Sequence, residues 1–137
     1  MNSQINAYKK NQINTTSSEH LVLMLYDGAR KFISKGIKSL DSGDIQEANH
    51  NLLRAQDILS ELMAGINFEA GEIADGLFAI YEYMHYRLIQ ANLKKDGQSA
   101  QEVLIMIDDL RDVWVQVLKS GCSTEEVNVN RKKLQIS

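Results

Sequence analysis

With 137 residues, 44% of them hydrophobic, the chain is long enough for one domain whose core needs no covalent staples. A net charge of −3, from 15 Lys and Arg against 18 Asp and Glu, argues against nucleic acid as the main partner, and the single cysteine, Cys122, excludes an internal disulfide framework. No basic–apolar–small leader opens the chain and no apolar run is long enough for stable membrane insertion, so a protein of the bacterial cytosol is expected.

Proline is absent, the eight glycines mostly lie near the ends of periodic stretches, and two-residue alternation is rare. That pattern predicts an all-helical domain with short turns. Residues 1–15 are polar, with isolated apolar anchors at Ile5, Tyr8 and Ile13 and no sustained face, and read as a mobile N-terminal arm. Thr16-Ser17-Ser18-Glu19 has capping-box spacing and is expected to open the first helix. Leu21, Leu25, Ala29, Phe32, Ile33 and Leu40 form its apolar face, widened early by Leu23, Met24 and Tyr26, and Asp41-Ser42-Gly43 closes it.

Asp44-Ile45-Gln46-Glu47 is a second box-like start. Ile45, Ala48, Leu52, Ala55, Leu59, Leu62 and Ile66 make the stripe of the second helix, and the break falls at Gly65 and residues 67–71. The third helix follows, ending near Lys94-Lys95, cations suited to the negative end of the dipole, with Asp96-Gly97 as a stop. Ser99-Ala100-Gln101-Glu102 reads as a third capping box. Val103, Ile107, Leu110, Trp114 and Val117 form the fourth stripe, with Trp114 its largest core contributor, and Gly121 is expected to end the helix. Residues 122–137 are polar. The expected architecture is an antiparallel up-down four-helix bundle over residues 16–120, flanked by the arm and by a flexible, polar C-terminal tail over residues 121–137.

The third helix carries more apolar surface than one core face uses. Ile73, Leu77, Ile80, Met84, Leu88 and Ala91 fall within roughly 80° of arc at 100° per residue, which is the expected core stripe. Phe78, Tyr81, Tyr86 and Ile89 lie beside it with His85, and Tyr83 adds a third tyrosine within six residues. Polar groups that could orient a ligand interleave with this surplus: Asn51, Gln56, Arg87, Gln90 and Asn92. Apolar pockets with a few orienting hydrogen bonds are what a groove for a helical peptide needs.

Catalytic signals are weak. Glu47–His50 and Glu82–His85 match the Glu-x-x-His pairs of di-iron bundles. Glu47, however, falls in a first helical turn as a capping carboxylate, His85 stands roughly 10–15 Å off its level at 1.5 Å per residue, and Glu82 points away from the core stripe. His20 reads as a solvated first-turn residue, Cys122 as a bland thiol, and Arg131-Lys132-Lys133 as a solubilising run. There is no glycine-rich phosphate loop and no nucleophile elbow. No enzyme activity, cofactor or metal is expected.

Longer strings are more specific. Ala7-Tyr8-Lys9-Lys10-Asn11-Gln12-Ile13-Asn14-Thr15 followed by Thr16 to Ala29 resembles the N-terminal signature of the flagellar secretion chaperone FliS family. Ala55-Gln56-Asp57-Ile58-Leu59, Gly71-Glu72-Ile73-Ala74, Tyr81-Glu82-Tyr83-Met84 and Arg87 to Leu93 resemble its second and third helices, and Asp112-Val113-Trp114 its fourth. Thr16 and Ser18 stand where the family often has alanine and proline, and the tail after Gly121 carries no family pattern. The resemblance implies a non-enzymatic cytosolic chaperone. Such a chaperone binds the disordered C-terminal segment of flagellin, prevents premature polymerisation and delivers the segment to the type III export apparatus. It also implies an export-gate component as a further partner and a monomer or weak dimer without client.

The candidate partner-binding residues are Tyr8 and Ile13 of the arm, Leu21, Leu25 and Tyr26 of the first helix, Asn51, Gln56 and Ile58 of the second, and Tyr81, Tyr83, Tyr86, Arg87 and Asn92 of the third. Tyr8 and Ile13 are read as an internal lid competing with the client for a face near Leu25, Ile58, Tyr81 and Tyr86. The alternatives are a helical adaptor that self-associates through the surplus face and, further off, the di-metal bundle.

Overall fold

The computed structural model describes residues 18–120. They form α1 (Ser18–Ser42), α2 (Ile45–Ala64), α3 (Glu72–Lys94) and α4 (Gly97–Lys119), with one 3-10 turn, Phe68–Ala70, before α3. Each helix packs on the next and α4 packs back on α1, giving a closed ring of antiparallel neighbours. Tyr8, Ile13 and the start of the Thr16–Glu19 box lie outside the described residues.

The connections follow from local chemistry. Gly43 at φ 78 lets its amide reach Leu40 O at 3.2 Å and the Asp44 amide reach Ser39 O at 2.9 Å, a Schellman closure of α1. Asp44 then caps α2, its carboxylate accepting from the Glu47 amide at 3.1 Å. The expected box forms only in this half. Its return bond is pre-empted because the Asp44 amide already serves Ser39, and the Glu47 carboxylate accepts from Asn51 Nδ2 at 3.4 Å instead.

Between α3 and α4 the turn is equally short. Lys95 adopts the left-handed conformation at φ 52, and Asp96 caps α4, accepting from the Gln98 amide at 3.0 Å and from Ser99 Oγ at 2.7 Å. These bonds, the Ser99 hydroxyl foremost, hold the Asp96 carboxyl below the usual range. The box expected at Ser99–Glu102 is therefore displaced. Asp96 starts the helix earlier, Ser99 serves the cap from within, and Glu102 is free to reach α3.

The core joins Tyr26, Ala29 and Ile33 of α1, Leu52, Ala55 and Leu59 of α2, Met84 and Leu88 of α3, and Val103, Ile107 and Trp114 of α4. α1 and α2 approach closely at Gly36, where an added Cβ would lie 2.8 Å from Leu52 Cδ2. Two ion pairs, Arg30–Asp108 and Arg111–Asp27, tie α4 to α1 and fix its register more than they add stability, since all four groups are partly solvated.

α3 departs from the expected stripe by roughly 35° of rotation at 100° per residue. Tyr81 is 2% exposed while Ile80 is 39% exposed. The cause is a polar contact across the bundle. The Tyr81 and Tyr26 hydroxyls meet at 2.6 Å with their rings edge-on at 6.3 Å, and Trp114 stands edge-on to Tyr26 at 6.5 Å. An aromatic ring whose hydroxyl finds a partner buries more area than isoleucine at little polar cost.

Gly36→Ala should destabilise the bundle by about 1 kcal/mol or more despite alanine's better helix propensity, because fully buried Leu52 has no room to retreat; urea unfolding measures it, and a gain in stability would refute the close approach. Tyr26→Phe and Tyr81→Phe should each cost about 1 kcal/mol by removing the hydrogen bond the two residues share, and the double variant should cost clearly less than their sum. Strict additivity in a double-mutant cycle would show that the two hydroxyls do not depend on each other.

Candidate partner-binding surface

Among ring neighbours, α3 and α4 engage each other least. Their seam leaves apolar side chains open to solvent. Ile80 on α3 and Val113 on α4, 42% exposed, flank it, with Met106, Leu110 and Val117 half-buried on the α4 side. Gly76, one turn before Ile80, is exposed on the same flank, where a Cβ would meet nothing within 4 Å.

Toward the C-terminal end of α3 the seam becomes polar. The Tyr83 hydroxyl donates to Glu102 Oε1, and this bond to a carboxylate pushes the Tyr83 hydroxyl's pKa up. Arg87 Nη2 lies 3.4 Å from Glu102 Oε2, Arg87 Nη1 donates to Gln90 Oε1 at 2.9 Å, and Gln90 Nε2 donates to the Tyr86 hydroxyl at 2.8 Å. The chain Tyr83–Glu102–Arg87–Gln90–Tyr86 thus crosses from α4 to the outer face of α3. Ile80, Tyr83 and Arg87 follow the i, i+3, i+7 spacing of one helix flank.

A second flank lies between α1 and α2. Leu21, Leu25, Phe32 and Ile58 are half-buried there beside exposed Met24, and the guanidinium of Arg54 stands over the Phe32 ring at 5.7 Å. At Gly28 of this flank an added Cβ would lie 3.2 Å from Ile58 Cδ1, so the isoleucine would have to shift by a few tenths of an ångström.

The residues singled out from sequence therefore fall into separate places. Leu21, Leu25 and Ile58 share the α1–α2 flank, and Tyr83 and Arg87 the polar end of the α3–α4 seam. Tyr86 is exposed on the outer face of α3. Tyr26 and Tyr81 are buried and bonded to each other. Asn51 and Asn92 are also buried: Asn51 donates to Glu47 O at 2.9 Å, and Asn92 donates to Asn49 Oδ1 at 2.8 Å while accepting from Lys95 Nζ at 2.6 Å. Gln56 is half-buried on α2.

Sequence reasoning did not single out Ile80, Gly76, Val113 or Glu102 as site residues. Ile80 fitted the core stripe and Glu102 fitted a capping box. The usable signal for Val113 was that it and Met106 lie one helical flank over from the fourth stripe, adding apolar surface beside it. Glu47, His50 and Glu82 are exposed, and His85 Nε2 lies 3.3 Å from Ser60 Oγ. Among the described residues no three His, Cys, Asp or Glu side chains converge as a metal site, and no helix is long and apolar enough to cross a membrane.

Comparison with known proteins agrees with this architecture. A crystal structure of a bacterial flagellar chaperone superposes with a TM-score of 0.71 at 16% identity, covering 85% of this chain and 98% of the other, which supports the fold. The flagellar secretion chaperone FliS of Bacillus subtilis (strain 168) is 39% identical over 114 residues, covering 83% of this chain and 85% of that protein. Its Salmonella typhimurium counterpart is 35% identical over 105 residues, covering 75% and 78%, and the Vibrio cholerae one 30% over 122 residues, covering 85% and 90%. The model of the family described as flagellar protein FliS matches residues 1–121, and the chain belongs to that family of flagellar secretion chaperones.

Proposed function

We propose that this bundle is a cytosolic export chaperone without catalytic activity, which binds the disordered C-terminal segment of flagellin, keeps it from polymerising and hands it to the flagellar type III export apparatus. The observation that carries the reading is the α3–α4 seam, the least engaged pair of ring neighbours in this bundle, where exposed Ile80 and Val113 stand beside half-buried Met106, Leu110 and Val117. The client's amphipathic segment folds as helix onto that seam, with the α1–α2 flank around Leu25 and Ile58 as a second resting place. Ordering the segment offsets part of the gain from apolar burial, so binding is firm yet reversible. The rigid surface needs no metal or cofactor for this task. An export-gate component is the second partner, receiving the loaded chaperone.

Titration calorimetry of the full chain with a peptide of the last ~40 residues of flagellin from the same organism should show one-to-one binding with a large negative heat-capacity change. Replacing Ile80 and Val113 together by glutamine should weaken binding by about 1–2 kcal/mol, roughly five- to thirtyfold, from lost apolar contact. Leu53→Gln, on the outer face of α2, should leave affinity unchanged. Unfolding profiles of all variants should match the parent. Unchanged binding by the seam variant, or no binding by the parent, would sink the proposal.

A further inference from the structure

Arg87, at the polar end of the α3–α4 seam, has more hydrogen-bonding capacity than its surroundings use. Its guanidinium offers five N–H donors. Nη1 serves Gln90, Nη2 reaches Glu102 only at 3.4 Å, and Nε, shielded from solvent, meets no acceptor among the described residues. Charge-assisted bonds to carboxylate normally settle near ~2.7–2.9 Å. Glu102 is held back from closing the gap because its other oxygen accepts from the Tyr83 hydroxyl. Among the described residues the other buried side-chain atom without a partner, Trp114 Nε1, lies in the core against Tyr26, so the unmet donor of the seam is that of Arg87.

The Nε–Nη2 edge of a guanidinium matches the two oxygens of a carboxylate. We propose that Arg87 is the carboxylate receptor of the seam, with Glu102 as its internal stand-in in the free bundle. The inference rests on the chaperone reading above and specifies the client. The occupant is an amphipathic helix whose apolar residues rest on Ile80 and Val113. About 10 Å further along, seven residues at 1.5 Å each, it presents a carboxylate that takes the Nε–Nη2 edge and displaces Glu102. Glu102 keeps its bond from Tyr83. Exposed Asp109 and Asp112 on α4 repel a carboxylate arriving elsewhere, which restricts the register in which the helix docks.

The test is a coupling measurement with the full chain. The probe is the same flagellin peptide, unmodified, with each Asp or Glu changed in turn to its amide, and with its C-terminal carboxylate amidated. One of these changes should weaken binding to the parent protein by about tenfold and binding to Arg87→Ala by less than about twofold. Which change it is tells a side-chain carboxylate from the terminal one. Arg87→Lys should behave like Arg87→Ala, since a lysine lacks the fork, and Glu102→Gln should tighten the unmodified peptide several-fold by weakening the stand-in. If every carboxylate change costs the same in the parent and in Arg87→Ala while the unmodified peptide binds normally, the receptor assignment is wrong and the chaperone reading survives. If the unmodified peptide fails to bind the folded parent, both fall together.

Discussion

The hydrogen bond between Tyr26 and Tyr81 sets the rotation of α3, and the rest of the surface follows from it. α1 and α3 are diagonal in the ring, so no loop joins them and they meet across the core. The 2.6 Å contact links them there, where a hydrogen bond is sensitive to rotation of either helix. Once Tyr81 points inward, the residue before it is turned about 100° toward α4. Ile80 then becomes surface, and Tyr83 and Arg87 join it on the same flank. One buried polar contact therefore aligns an apolar anchor with a charged group two turns away.

α3 is held unequally by its two neighbours. On the α2 side, Asn92 meets Asn49, and His85 meets Ser60, beside well-packed apolar residues. On the α4 side the polar chain is long-bonded at Arg87 and the apolar part is open at Gly76. A glycine inside a helix costs about 1 kcal/mol against alanine. At Gly76 that cost is not offset by any close approach within the bundle, since a Cβ there would meet nothing within 4 Å. The sealed flank keeps the bundle folded while the open one remains available.

Much of the fold was legible in the sequence because helix ends are local events. Gly43 with Asp44, and Lys95 with Asp96, carry their turn and cap chemistry within a few residues, and the apolar periods between them are long. The misreadings occurred where two local signals overlapped. Asp96 and Ser99 are both good caps, and only the left-handed Lys95 decides that the helix starts from Asp96. Freed from capping, Glu102 became part of the surface, a role that its spacing from Ser99 had concealed.

The candidate surface was legible in composition and hidden in geometry. A surplus of tyrosines on α3 is visible in one dimension, but which tyrosine turns inward depends on a residue 55 positions earlier. Tyr81 and Ile80 are adjacent and both apolar enough for a core, so periodicity alone ranks them almost equally. What separates them is that Tyr81 brings a hydroxyl for which the core holds a partner. Buried polar groups specify rotation more sharply than apolar ones, because a methyl tolerates a shifted neighbour and a hydrogen bond does not. In this bundle the same discrimination is repeated at the surface. In the proposed complex Ile80 and Val113 would accept any apolar side chain of suitable size, and Arg87, whose Nε meets no acceptor among the described residues, would set which helix fits and in what register.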